Sequence, residues 1–343
     1  MNKSLFIKIG TGLKILVLGC ALPLLLHDPV WGQEGCSQVD IKANIEKLIT
    51  YDYEAEQSIV KCKEKSTNLL IKTLQNEAQN SDIRGAVAYA LGKIKSDSPE
   101  VLDTLINVVN DKKDDNDVRR GAVAYALGKI KSDSPEVLDT LINVVNDKKD
   151  DNDVRRSAVS ALSEIKSDSP EVLKTLISVV NNKKDDNDVR LNAAYALGEI
   201  KSDSPEVLDT LINVVNDKKD DNDVRRSAAY ALGEIKSDSP EVLDTLINLV
   251  NNKNDDNDVR HSAILTLGQI ESDSPEVLDT LISVLNDTND DNRVRRTVAY
   301  ALGQIKSDSP KVLDTLISVV NDKNYDNEIR RSVVLLAWGH KKL

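Results

Sequence analysis

Histidine is the side chain best suited to move protons near neutral pH, and this chain has only three, His27, His261 and His340. They stand far apart, and none recurs beside the many serines, so no serine has a base placed to activate it. His261 occupies a position usually held by arginine, which reads as a surface substitution. The loop Asp111-Lys-Lys-Asp-Asp-Asn-Asp117 and its copies are rich in oxygens that Ca²⁺ favours. Interleaved lysines oppose a cation there, and the turn glycine and closing glutamate of an EF-hand are missing, so solvated helix-cap loops are the better reading. The expectation is no catalytic residue, no cofactor and no metal. What does recur is a pair of surfaces. One is a ladder of Asp103, Asp139, Lys174, Asp209, Asp244, Asp279 and Asp314, beside Asn107, Asn143, Asn213 and Asn248. The other is a column of Tyr89, Tyr125, Tyr195, Tyr230 and Tyr300, interrupted at Ser160 and Leu265. An acidic, amide-rich trough suits a basic protein or peptide, and exposed aromatics in register suit an interface.

The elements that carry these rows repeat. Ser-Pro recurs at Pro99, Pro135, Pro170, Pro205, Pro240, Pro275 and Pro310, the first interval being 36 residues and the others 35. Arginine after a branched aliphatic recurs at Arg84, Arg119, Arg155, Arg190, Arg225, Arg260, Arg295 and Arg330. Residues 85–119 are repeated unchanged at 121–155, so Arg120 is the extra residue, and it should bulge the first turn of its helix. Each unit reads as two helices. The first, as at 223–235, follows an Asp/Asn cluster able to cap it, with Val224, Ala228, Ala231, Leu232 and Ile235 on one face. At about 100° per residue Tyr230 falls opposite that stripe and should be exposed, with Arg226 near enough for a cation–π contact. The second, as at 239–251, has serine before a proline at the first helical position, where a missing N–H costs nothing. Its expected buried stripe is Val242, Leu243, Leu246, Ile247 and Val250. Such a pair cannot bury its apolar face alone, so the units must stack. The fold class expected is all-α: a right-handed α-solenoid, or superhelix, of two-helix repeats of about 35 residues.

Seven full pairs run from about Asp82 to Asp322, preceded by a lone second helix at 66–80 and one or two capping helices within 38–63. The domain expectation is a leader at 1–32, an N-terminal helical cap at 33–65 and the repeat solenoid at 66–343. In the leader, Lys3, Lys8 and Lys14 precede an apolar run from Ile15 to Leu26 and a short stretch ending at Gly32, the pattern of a secretory signal peptide. The run is too short for a membrane span. A lipidation reading at Cys20 is weakened because the apolar run continues past it. Loss of 1–32 would take the net charge from −12 to −14. An acidic chain argues against nucleic acid, which needs a positive footprint. It would also leave Cys36 and Cys62, an even pair that in an exported chain suggests a disulfide stapling the cap.

The pattern Val-Arg-Arg-x-Ala-x-x-Ala-Leu-Gly-x-Ile followed by Ser-Pro-Glu-Val-Leu resembles the HEAT-like repeats of the phycobilisome-lyase type, over about four-fifths of the chain. The units here are longer, and tyrosine stands where that family more often carries a charge. The resemblance implies second helices lining the concave side, which would put the acidic ladder inside and the tyrosines outside. It also implies that the recurrent arginine ties each unit to acids of the next. Of the family's enzymes, deoxyhypusine hydroxylase needs paired His-Glu motifs to hold two irons, and two isolated histidines cannot supply them. Bilin lyases act in the cytoplasm, against the export signal. The function expected is therefore an exported, non-catalytic scaffold or adaptor that binds a protein or peptide along its curved surface. A bilin lyase-like accessory protein and a structural cell-envelope repeat protein are the alternatives. Export would place it in the periplasm, envelope or exterior.

Overall fold

The computed structural model describes residues 36–305, 309–323 and 325–339, apart from the side chains of 123–125, 332 and 335–339. The expected leader at 1–32 lies outside the described residues. Among those described, every regular element is helical, and no helix is long and apolar enough to cross a membrane. The architecture is an α-solenoid.

Two short helices, Gln38–Lys47 and Tyr53–Lys61, form the cap, joined by a single 3₁₀ turn at Leu48–Thr50. Ser37 and Asp40 close a reciprocal capping box at the first of them, satisfying two backbone donors that a helix start leaves free. Cys36 and Cys62 are bonded, with Cα atoms 5.5 Å apart. The bridge pins the start of the cap to the junction with Lys63–Gln75, the lone second helix, which begins three residues earlier than the repeat pattern indicates.

First helices then alternate with second helices, as Asn187–Ile200 with Pro205–Asn216 and Asn222–Ile235 with Pro240–Asn251. Asp221 caps a first helix by accepting from the N–H groups of Asp223 and Val224 at 2.9 and 3.2 Å. Each of these first helices ends on a residue in the left-handed region, Lys201 at φ 61° and Lys236 at φ 57°, where a glycine is the usual solution. The second helices start at Ser-Pro as expected.

Their buried faces differ from the simple stripes. In Asn222–Ile235, Ala229 and Gly233 are as buried as Val224, Ala228, Ala231 and Leu232, while Ile235 is half-buried. A first helix is flanked by the first helices of both neighbouring units as well as by second helices, so more than one face is covered. In Pro240–Asn251, Thr245 and Leu249 are buried, and Leu243 and Ile247 are only half-buried. The covered face is rotated toward the neighbouring units relative to the stripe read from spacing.

The two layers are not equally spaced. A Cβ placed on Gly198 would lie 2.6 Å from the Cα of Ala231, a contact only glycine permits. Gly268 meets Ala301 at 3.0 Å and Gly128 meets Ala161 at 3.2 Å in the same way. Second helices meet through Val, Leu and Thr and approach each other less closely. A stack spaced more tightly in one layer bends toward it, so within the repeat unit the first helices form the inner layer. This reverses the concave assignment that the family resemblance implied.

The extra residue does bulge its helix, but beyond the first turn where the bulge was expected. The helix beginning at Asn116 contains a π-helical segment, Gly121–Leu127, between α-helical Asn116–Arg120 and Gly128–Ile130. One surplus residue is absorbed as a wider turn, and the following unit resumes in register.

Candidate partner-binding faces

The most charged feature is structural. Arg190 sends both terminal nitrogens to Asp220 of the next loop, at 2.8 and 2.7 Å, and its Nε to the Val180 carbonyl at 3.1 Å. Asn187 accepts at 3.2 Å. One guanidinium thus closes the free carbonyl end of a second helix, braces the start of a first helix and grips the following unit. The same fork joins Arg84 to Asp114, Arg119 to Asp150, Arg155 to Asp185, Arg225 to Asp255 and Arg260 to Asp290. Both partners are buried at every one of these rungs, which is where a planar bidentate pair is worth most.

Burial alone would raise the carboxyls of Asp185, Asp220, Asp255 and Asp290. Hydrogen bonds from the arginine and from the next backbone N–H outweigh it and hold them below the usual carboxylate value. Asp150 is lowered chiefly by its bond from Arg119. The rest of the acidic loop is also committed: Asp111 accepts from the Lys113 N–H and Asp115 caps the next helix. The oxygens that made a cation site conceivable are engaged with the protein itself.

The last rung is different. Tyr325 stands where the register calls for aspartate, and the Arg295 guanidinium lies 5.1 Å from its ring centroid. Arg295 is buried and its Nη2 has no hydrogen-bond partner among the described residues. The Tyr325 hydroxyl donates to Asn286 at 2.8 Å.

Of the two recurrent surfaces, the acidic ladder lies on the outer layer. Asp103, Asp139, Asp209, Asp244, Asp279 and Asp314 are exposed, as are Asn107, Asn143, Asn213 and Asn248. Half-buried Leu243 and Ile247 sit beside them in their unit. Lys311 bonds Asp279 at 2.5 Å.

The tyrosine column lies on the inner layer. Tyr195, Tyr230 and Tyr300 are 41, 38 and 45% exposed. Tyr195 and Tyr230 stack with centroids 5.5 Å apart and planes 8° from parallel. Tyr89 is half-buried, with the Lys93 ammonium 5.1 Å from its centroid; the side chain of Tyr125 is outside the described residues. The expected arginine–tyrosine contacts do not form: Arg226 pairs with Asp223 at 2.7 Å and Arg296 with Glu328. An acid one turn away or in the next unit outcompetes a ring face for an exposed guanidinium.

Below the rings runs a row the sequence reading missed. The Tyr195 hydroxyl lies 3.1 Å from Glu199, four residues on, and Gln304 donates to Tyr300 at 2.5 Å. Burial and the bond to Glu234 push the Tyr230 phenol well above its ordinary value, so it stays protonated. Glu164, Glu199 and Glu234 also receive lysines from the preceding unit, Lys129 at 2.6 Å, Lys166 at 3.4 Å and Lys201 at 3.8 Å. The recurring Tyr-x-x-x-Glu was a legible signal for the phenol–carboxylate pair; the ring-to-ring stacking was not.

Where Ser160 interrupts the column, the face opens into a groove of about 410 Å³ lined by Ser160, Ser163, Glu164, Asn192, Tyr195 and Glu199, with Lys131 and Lys166 at its edge. His261 is half-buried on the same helix layer, and burial together with Arg293 pushes its imidazole below its ordinary value.

No curated protein matches the chain in sequence. Among solved structures it is similar to importin beta, at 16% identity and a TM-score of 0.57, over 87% of this chain and 44% of importin beta. It is also similar to a Kap121p mutant, at 16% identity and a TM-score of 0.49, over 88% of this chain and 37% of that one. Human deoxyhypusine hydroxylase in complex with glycerol aligns at 20% identity and a TM-score of 0.35, covering 80 and 96% of the two chains. The chain therefore spans less than half of importin beta and of Kap121p, and the likeness to importin beta is one of fold. The model of HEAT repeats matches four successive segments, residues 55–128, 112–187, 176–257 and 252–337. Together they span most of the sequence, and the chain belongs to the HEAT-repeat family.

Proposed function

We propose that the chain is an exported, non-catalytic scaffold that binds a protein or peptide along the inner face of its first helices. The observation that carries this is the exposed, near-parallel Tyr195–Tyr230 stack at the edge of an open groove. Rigid aromatics with wet hydroxyls offer contact area at low entropic cost, which is why they concentrate at interfaces. Export is supported by the lysine-then-apolar start of the sequence and by the Cys36–Cys62 bridge, since such bonds persist in oxidising compartments.

A second reading places a basic partner on the outer Asp ladder, favoured by the exposure of its carboxylates. One experiment separates the two: capture from envelope extract with the mature protein as bait, beside Tyr195→Ala/Tyr230→Ala and Asp209→Asn/Asp244→Asn variants. The inner-face reading expects capture to fall with the tyrosines and to change little with salt. Loss with the aspartates, steep in salt, would move the site outward. Bilin absorbance on the purified protein after co-expression with bilin synthesis would overturn the non-catalytic reading in favour of the lyase-type alternative.

A further inference from the structure

Ser160 is the ninth residue of its first helix, Asn152–Ile165, the place held by Tyr195 and Tyr230 in the two following units. Those rings show how this surface holds a phenol. The ring of one unit lies flat against that of the next, 5.5 Å apart. Its hydroxyl meets the carboxylate four residues on, Glu199 in the case of Tyr195, at 3.1 Å.

At Ser160 the ring is missing, while the neighbouring tyrosine of the next unit and the carboxylate four residues on are both present. Tyr195 forms one wall of the groove, and its other face is already covered by Tyr230. Glu164 lines the groove at the offset that Glu199 and Glu234 have from their tyrosines. Glu164 receives Lys129 at 2.6 Å, which leaves acceptor capacity on a carboxylate with about four lone-pair sites. The Ser160 hydroxyl is turned back to the Arg156 carbonyl at 3.1 Å and claims none of it. Ser163 and Asn192 complete a polar rim. The cavity, about 410 Å³, falls within the range of roughly 300–1,000 Å³ common for ligand sites.

We propose that this notch is a socket for a tyrosine side chain presented by the bound polypeptide. The incoming ring stacks on the open face of Tyr195 and its hydroxyl donates to Glu164, extending by one place the stack the protein builds from its own residues. The inference rests on the inner-face reading and sharpens it: the scaffold selects segments that carry a tyrosine.

The test is an amide-shift titration of the disulfide-intact protein with acetyl-Gly-Tyr-Gly-amide and its Phe and Leu counterparts. The tyrosine peptide is expected to shift residues 160–164, Asn192 and Tyr195 in a saturable way. The phenylalanine peptide should bind about ten- to a hundredfold more weakly, the value of one hydrogen bond to a charged acceptor, and the leucine peptide weaker still. Ser160→Tyr fills the socket with the residue its neighbours carry and should remove the response with the melting temperature unchanged or raised. Glu164→Ala should equalise Tyr and Phe while retaining binding. Equal response to Leu and Tyr, no saturable response, or a Ser160→Tyr variant that still binds overturns the socket. The outcomes also separate it from the broader reading. If Ser160→Tyr captures partner from envelope extract as well as the wild type while Tyr195→Ala/Tyr230→Ala does not, the socket fails and the scaffold stands. If neither the wild type nor any variant captures a partner, the scaffold reading fails.

Discussion

At the scale of single residues, the recurrent arginine is the most demanding position in the chain. Its side chain is buried, yet every direction in which it can donate is answered by a named oxygen, as at Arg190. Removing one partner of such a pair strands the other, at a cost of about 3–5 kcal/mol. Asp220→Ala should therefore lower the melting temperature far more than Asp244→Ala, which removes an exposed carboxylate, and a side-by-side thermal melt checks it. The reverse change applies at the broken rung. Tyr325→Asp gives Arg295 the fork that the other units have and should slow amide exchange in 310–339 by about 1 kcal/mol, after allowing for the lost ring contact. The ladder was anticipated through the family resemblance, with the recurrent arginine and the acidic loop of the next unit as the residues to carry it. Nothing in the sequence of a single unit marked Tyr325 as its gap; only the count of 30 residues from Arg295 does so.

At the scale of the helix, glycine shows how far spacing can be trusted. Gly85 and Gly198 both sit in first helices, at the fifth and the twelfth position respectively. A Cβ on Gly85 meets nothing nearer than the Asp117 carbonyl at 3.8 Å, whereas one on Gly198 would meet the Ala231 backbone at 2.6 Å. Gly85→Ala should stabilise its helix by about 1 kcal/mol through propensity, and Gly198→Ala should destabilise by about 1–3 kcal/mol through overpacking. Urea titrations of the two variants give opposite shifts if the packing is as described. Helix positions, caps and the bulge after Arg120 were legible because they depend on the helix's own residues. The buried faces were misjudged at Ala229, Gly233 and Ile235 in Asn222–Ile235 and at Leu243, Thr245, Ile247 and Leu249 in Pro240–Asn251, because neighbours on several sides decide what is covered.

At the scale of the whole molecule, the depressed carboxyls set the pH range. Their pKa values are lower folded than unfolded, so the stabilisation is complete above the unfolded value of about 4 and is lost as pH falls through the folded values. A melting temperature level between pH 5 and 7 and dropping steeply below pH 4 is the expected profile, and scanning calorimetry across that range measures it. Closure of the 26-residue span between Cys36 and Cys62 constrains the unfolded cap by about 3 kcal/mol. Reduction should loosen residues 36–75 first, as hydrogen exchange would show. Fold class was the most legible property, since repetition alone demands stacking. The direction of bending was not, because it depends on Gly198 meeting Ala231 in one layer while Val and Leu keep the other apart.

The gap at Tyr325 has a mechanical meaning. Forks between consecutive units are arranged in series along the array, so a load applied to its two ends passes through every one of them. Six are closed and the seventh, at Arg295, is held by a ring face. Under tension the C-terminal helices should peel away at low force while the rest of the array stays intact. Optical-tweezer traces should show that small early step, and Tyr325→Asp should raise the force at which it occurs.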